Sequence, residues 1–333
     1  MAENYSAALL DDLYGAPMKK NLLTIAILFL LIGGRLYAQP DTVRVGAHVI
    51  SVHDINFHNK DYTARFWVWF VYSNPKLDFS QQLDIPNSKS VEQAFPIKDS
   101  IEGKAWVMMK MKAVMKEKWN VSDFPFDEQH LNLQIENSQF DTSSLVFKPD
   151  LKGSRFDPEE AIDGWNIKNF RVYTKPKTYE TGFGDSRPGR NSQTFSSFNI
   201  EMDLQRDALG LFMKIFVGMY ISFLIAFLSF APKPHELDPR FGLPVGGLLS
   251  VVGNKYIIDS ILPESSTFTL VDTLHTLTFL AIFCMLVISA ICIRLHDRGR
   301  IGASMKLNKR GFGAILIFYL LTNIFFVSIA VLN

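Results

Sequence analysis

Four apolar stretches follow one another after about Leu209, and they limit what this chain can become. Leu211 to Phe230 carries one charge, Lys214. Phe241 to Leu262 carries Lys255 and Asp259. Leu274 to Leu295 has His275 near its start and Arg294 near its end, and Phe312 to Leu332 has no charge. Each is about 20 residues, the length a helix needs to cross ~30 Å of hydrocarbon. Before them the sequence is mixed and polar. The chain of 333 residues is 48% hydrophobic with net charge +1, so it has material for a core and is not a disordered polymer. It also lacks the bulk positive charge on which nucleic-acid binding rests, so no nucleic-acid partner is expected.

Near the start, Met18-Lys19-Lys20 precedes the apolar run Leu22 to Ile32, then Gly33, Gly34 and Ala38. This reads as a secretory signal peptide over 18–38 with cleavage before Gln39, and residues 1–17 as an extension or a mis-assigned start. A fifth membrane helix is the alternative. Between the third and fourth stretches, residues 296–310 contain Arg298, Arg300, Lys306, Lys309 and Arg310 against one acid, Asp297. Basic loops stay in the cytoplasm. That places this loop inside, and residues 39–207 and the C-terminus on the outer side, periplasmic or extracellular, of a cell (inner) membrane.

The outer part reads as β. Apolar residues alternate with polar ones at Val107, Met109, Met111, Ala113 and Met115, at Leu131, Leu133 and Ile135, and at Phe198, Ile200, Met202 and Leu204. Tyr62 to Tyr72 is a further, very aromatic strand. Turn-forming clusters separate such runs, the pattern of a sandwich. Cys284 and Cys292 both lie in the third apolar stretch, ~12 Å apart along a helix, too far for a disulfide. No Cys/His cluster has metal-ligand spacing. No nucleophile–base pairing, phosphate loop or HExxH appears, so no enzyme, cofactor or metal centre is expected.

The run Trp119-Asn120-Val121-Ser122-Asp123-Phe124-Pro125-Phe126-Asp127-Glu128-Gln129 resembles the loop that names the Cys-loop receptors, the pentameric ligand-gated ion channels, without its bracketing cysteines, as in bacterial members. Arg206 precedes the first apolar stretch and Leu262-Pro263 ends the second, as in that family. The resemblance covers about residues 41–333. It implies an all-β extracellular sandwich (39–207), then a four-helix α transmembrane domain (208–333; helices about 211–230, 241–262, 269–295 and 312–332), assembled as a homopentamer. It implies a ligand- or proton-gated channel, cation-selective, whose partners are membrane lipid, permeating cations and a small extracellular ligand or protons.

Placed at 100° per residue, Asp238, Gly242, Gly246, Leu249, Gly253, Tyr256 and Ser260 fall within about 40° of one line. The resemblance makes this stripe the pore lining, with Leu249 an apolar constriction and Asp238 a carboxylate ring at the cytoplasmic mouth. Close packing of helices on a glycine face is the other reading. Pro244 inside the second stretch, its four glycines, and Gly218 where the family has proline depart from the pattern. They keep open a non-conducting receptor or scaffold of the same fold.

Lys255 and Asp259, four apart on the back of that stripe, are expected to pair with each other or with Asp272 and His275. The resemblance assigns coupling to Phe124, Pro125, Phe126 and Asp127, and to the turn His58-Asn59-Lys60-Asp61. These face Pro263 and its neighbours, with Arg206 paired to Asp127. It assigns ligand binding to Trp67, Trp69, Phe140, Tyr179 and Phe183. An aromatic box favours cations, whereas Arg65, Arg187 and Arg190 nearby could favour an anion.

Overall fold

The computed structural model describes residues 39–186, 190–264 and 267–332. The expected signal peptide and the extension before it lie outside the described residues, as does Arg187. From Asp41 onward the chain forms one compact unit.

Ten strands come first: β1 (Asp41–Asn56), β2 (Asp61–Tyr72), β3 (Leu83–Asp84), β4 (Ser88–Ile101), β5 (Lys104–Lys116), β6 (Glu128–Asn137), β7 (Leu145–Pro149), β8 (Arg155–Phe156), β9 (Trp165–Tyr179) and β10 (Gln193–Arg206). They form two sheets. One has the order β4-β5-β2-β1-β7, with β8 also on β1, and the other β3-β6-β10-β9. The alternating runs supply the space between the sheets. Phe66, Val68, Phe70, Met109 and Met111 come from one side, and Leu131, Leu133, Ile135, Phe198, Ile200 and Met202 from the other, all essentially inaccessible. Side chains of period two bury one face and hydrate the other. Burying so many large apolar groups, at ~1.5–3 kcal/mol each, is what lets this sandwich stand on its core.

Four helices follow: α1 (Ala208–Phe227, continued by a 3-10 turn to Phe230), α2 (Leu237–Asp259), α3 (Leu270–Asp297) and α4 (Ile301–Leu332). All four are long and apolar enough to cross a membrane, and the chain is a multi-pass membrane protein. The fold, a β-sandwich followed by four apolar helices, is consistent with the Cys-loop receptor architecture.

The helices do not follow the apolar stretches at every end. α4 begins at Ile301, well before Phe312, because its polar first turns are anchored. Ser304 Oγ donates to the Cys292 carbonyl at 2.7 Å, and Asn308 Nδ2 to the Phe230 carbonyl at 3.0 Å. α3 starts at a capping box, in which Thr269 Oγ1 accepts from the Asp272 N–H while Asp272 accepts from the Thr269 N–H. α2 runs unbroken through Pro244 and ends at Asp259, so Leu262-Pro263 lies just beyond it.

α2 packs on α1 through Gly247. A Cβ there would lie 2.7 Å from the Ser222 carbonyl oxygen and 2.9 Å from the Ala226 Cβ. At Gly242, Gly246 and Gly253 an added Cβ meets nothing within 4 Å. Gly247→Ala should therefore lower the thermal midpoint of the purified protein, overpacking costing ~1–3 kcal/mol. Gly246→Ala should leave it unchanged or raise it, by the ~1 kcal/mol of helix propensity gained. Equal midpoints for the two variants would show that the α1–α2 contact does not need its glycine.

Candidate functional site

The junction between sandwich and helices is built around one ion pair. Arg206, the last residue of β10, donates from Nε to Asp127 Oδ1 at 2.7 Å and from Nη2 to Oδ2 at 3.1 Å. The side chains are 10% and 2% exposed. A bidentate arginine–carboxylate pair is planar and directional. Its guanidinium is also packed between rings, with Cζ 4.0 Å from the Trp165 centroid, 4.8 Å from Phe57 and 5.0 Å from Phe124. Gln129 completes the carboxylate's partners, donating to Asp127 Oδ2 and to the Asn120 carbonyl, each at 2.6 Å. The loop from Trp119 to Gln129 thus folds around the charge that β10 brings to it.

From this loop and the turn after β1, three contacts reach the helices. Phe126 packs on Phe212 of α1, ring centroids 5.4 Å apart. The Ser122 carbonyl accepts from the Leu270 N–H at the start of α3, at 2.8 Å. Lys60 Nζ donates to the Glu264 carbonyl on the α2–α3 linker, at 3.2 Å. His58 and Pro263 share a cavity of about 350 Å³. The turn expected to face the linker does so. Phe126 was expected there too, but it meets α1, because the loop turns its aromatic side chain toward the apolar wall of that helix. A further cavity of about 610 Å³ lies beside Arg206, walled by Leu211 and Ile215 of α1 and Ile258 and Ile261 at the end of α2. Packing is open where the sandwich meets the end of α2.

Along α2 the seven stripe residues, Asp238, Gly242, Gly246, Leu249, Gly253, Tyr256 and Ser260, are all exposed. Leu249 is 68% and Tyr256 76% exposed. The opposite face buries Arg240, Pro244, Gly247, Val251 and Ile258 against the other helices. Lys255 bridges α2 and α3. It donates to Asp259 at 2.8 and 2.9 Å and to Asp272 Oδ1 at 2.7 Å. His275 is not part of this group. Its ring nitrogens lie 2.8 Å from the Val271 carbonyl and 3.0 Å from Asn254 Oδ1, and Asn254 in turn donates to the Ile215 carbonyl of α1.

The five aromatic residues assigned to ligand binding do not converge within one chain. Tyr179 and Phe183 do, with Phe195 as a third ring at 5.9 and 6.4 Å, on a cavity of about 520 Å³ that Asp84, Glu136 and Asn137 also line. Trp67 and Trp69 lie on β2, in the other sheet. Trp69 is structural: its indole covers Gly46, where a Cβ would lie 2.4 Å from the ring, and its Nε1 donates to Asp150 at 3.2 Å. Trp67 is half-buried with the Lys110 ammonium 5.6 Å from its centroid. Phe140 packs against the core, its N–H donating to Asn137 Oδ1.

The alternation along β6 assigns Glu136 to the hydrated side, yet it is 3% exposed. Ile135, Glu136 and Asn137 are buried in succession. Glu136 Oε2 accepts from the Tyr179 hydroxyl at 3.0 Å, while Oε1 is buried without a hydrogen-bond partner among the described residues. Burial pushes its carboxyl above the ordinary range, against the opposing hydrogen bond of Tyr179. Period two alone cannot reveal a buried acid, because it assigns faces and not the depth of a strand end.

A sandwich joined by a buried ion pair to four apolar helices defines a multi-pass membrane protein with a folded β domain. The chain is similar to acetylcholine receptor subunit alpha-1-B of Xenopus laevis, 23% identical over 180 residues, which is 54% of this chain. The match spans 37% of that relative's length. No family model matches the chain.

Removing the Asp127 carboxylate would strand the Arg206 charge in a low-dielectric site, at a cost of ~3–5 kcal/mol. Asp127→Ala should sharply reduce the yield of folded protein and its thermal midpoint. Glu201→Ala, on the same sheet and paired to the exposed Arg171, should change little. If both variants melted together, the junction would not rest on this pair.

Proposed function

We propose that the chain is a subunit of a homopentameric ligand- or proton-gated ion channel, cation-selective, with the sandwich outside the membrane and α2 lining the pore. The observation that carries the reading is the division of α2. One face is packed by its own chain, and the opposite face, with three glycines whose Cβ positions are open, is left uncovered across the membrane. Five such helices around an axis form a conduit. Leu249 supplies an apolar ring able to dewet, Tyr256 a second ring nearer the outside, and Asp238 five carboxylates at the cytoplasmic mouth. Motion of the sandwich reaches α2 through Lys60 on the linker and Ser122 on α3, with Arg206–Asp127 as the fixed centre.

Purified protein in planar bilayers, with pH and amines varied, tests this. Current should appear, and Asp238→Ala should shift the reversal potential in a salt gradient toward less cation preference. An unshifted potential would remove Asp238 from that role. A sealed, silent pentamer under every condition would favour a non-conducting receptor of the same fold.

The ligand site of this reading is the cavity of Tyr179, Phe183 and Glu136, which suits an organic cation by ring faces and carboxylate together. Glu136→Gln should weaken binding of a primary amine at least tenfold, a loss of ~1.4 kcal/mol or more. Because its carboxyl is held above the ordinary range, wild-type affinity should fall as pH drops through that raised range, and the variant should lose this dependence. An amine affinity equal in the two proteins would place the ligand elsewhere.

A further inference from the structure

The end of the helical half remote from the sandwich holds a pair of groups with no role in the proposed channel. His235, on the loop between α1 and α2, and His296, in the last turn of α3, have ring centroids 4.8 Å apart and planes inclined at 33°. They are the one pair of histidine rings in contact among the described residues. Both stand on fixed backbone. His235 follows Pro232 and Pro234, whose rings restrict the loop, and the Glu236 N–H donates to the Lys233 carbonyl across it at 3.0 Å. After His296, Gly299 at φ +74° closes the helix end, its N–H donating to the His296 carbonyl at 2.8 Å. Neither ring forms a hydrogen bond among the described residues, and both reach solvent, His235 exposed and His296 29% exposed. Elsewhere His48 and His130 face carboxylates, and His275 is committed at both nitrogens.

Paired, accessible imidazoles whose nitrogens are uncommitted suit a transition metal, and not calcium or magnesium, which take oxygen ligands. Two imidazoles that share one Zn2+ through nitrogens ~2.0–2.1 Å from it hold their ring centroids about 5 Å apart, close to the separation found here. We propose that His235 and His296 bind one Zn2+ per chain. Asp297, with Oδ1 3.9 Å from His296 Nδ1, adds negative charge beside the pair. No group of three or more His, Cys, Asp or Glu converges for a metal among the described residues. Water therefore completes the coordination, and the site is a reversible one and not a closed structural centre. The bound ion ties the α1–α2 loop to the end of α3 immediately before α2 begins at Leu237. One turn on, Arg240 is fully buried and donates from Nη2 to Asn308 of α4. The base of α2 is thus held to α4 by a hydrogen bond and, with Zn2+ bound, to α3 by coordination through the loop that leads into it. The proposal stands whether or not the protein conducts.

Calorimetric titration of the purified full-length protein with zinc chloride tests it without any current. The wild type should bind one Zn2+ per chain, Mg2+ should not compete, and Zn2+ should raise the thermal midpoint. H235Q and H296Q should each lose about tenfold or more in affinity. The double variant should add little, because one imidazole alone does not hold the ion. H130Q, whose ring faces Asp203 in the sandwich, should bind as the wild type does. Both rings reach solvent and form no hydrogen bond among the described residues, so the metal-free variants should melt with the wild type. With one equivalent of Cu2+ as probe, electron paramagnetic resonance should show two nitrogen ligands in the wild type and one in H235Q. Unchanged Zn2+ affinity in either single variant, loss of the site in H130Q, or a single-nitrogen spectrum from the wild type would each overturn the proposal.

Discussion

Sandwich and helices are held in register by a charge that cannot be left alone. Arg206 ends the last strand one residue before α1, so its side chain points into the apolar seam between two differently solvated halves. A guanidinium there requires a carboxylate, and the loop carrying Asp127 supplies one in bidentate geometry. The rings of Trp165, Phe57 and Phe124 exclude water from the pair. Fixing Asp127 fixes the whole Trp119–Gln129 loop, and with it the contacts of Phe126 to α1 and Ser122 to α3.

The helical half is organised by what each face of α2 touches. Its inner face is fitted tightly, with Gly247 against α1, Lys255 tied to α3, and Asn254 bridging α1 and α3 through Ile215 and His275. Its outer face is left exposed by the described residues. A helix this weakly hydrophobic, with four charged residues and four glycines, would be a poor lipid-facing element. The packed inner face holds it as a helix while the other face remains uncovered. The open cavity beside Arg206 leaves space where the sandwich could move relative to the end of α2.

Much of the fold was legible because two periodicities are written plainly. Period-two runs such as Leu131, Leu133 and Ile135 bury the expected sides, and the apolar stretches locate the four helices. The ion pair was legible too, since an arginine before a membrane helix needs a carboxylate. Less was legible at the ends. α4 starts at Ile301 because Ser304 and Asn308 find carbonyls on other elements, and no local pattern encodes that. The aromatic residues were the weakest guide. Trp69 and Tyr179 look alike in sequence, yet one closes over Gly46 and the other opens onto a cavity with a buried acid.

What the sequence determined by itself was the partition between two solvents, the strand and helix identities, and the face of α2 that carries Asp238, Leu249 and Tyr256. These follow from local hydrophobic period and length, which each segment carries alone. Only the tertiary structure decided which glycine packs, which aromatic lines a cavity, that Glu136 is buried, and that Asn308 ties α4 to Arg240. Those depend on which distant backbone comes within hydrogen-bond or van der Waals reach. That is a property of the folded packing and not of any segment within it.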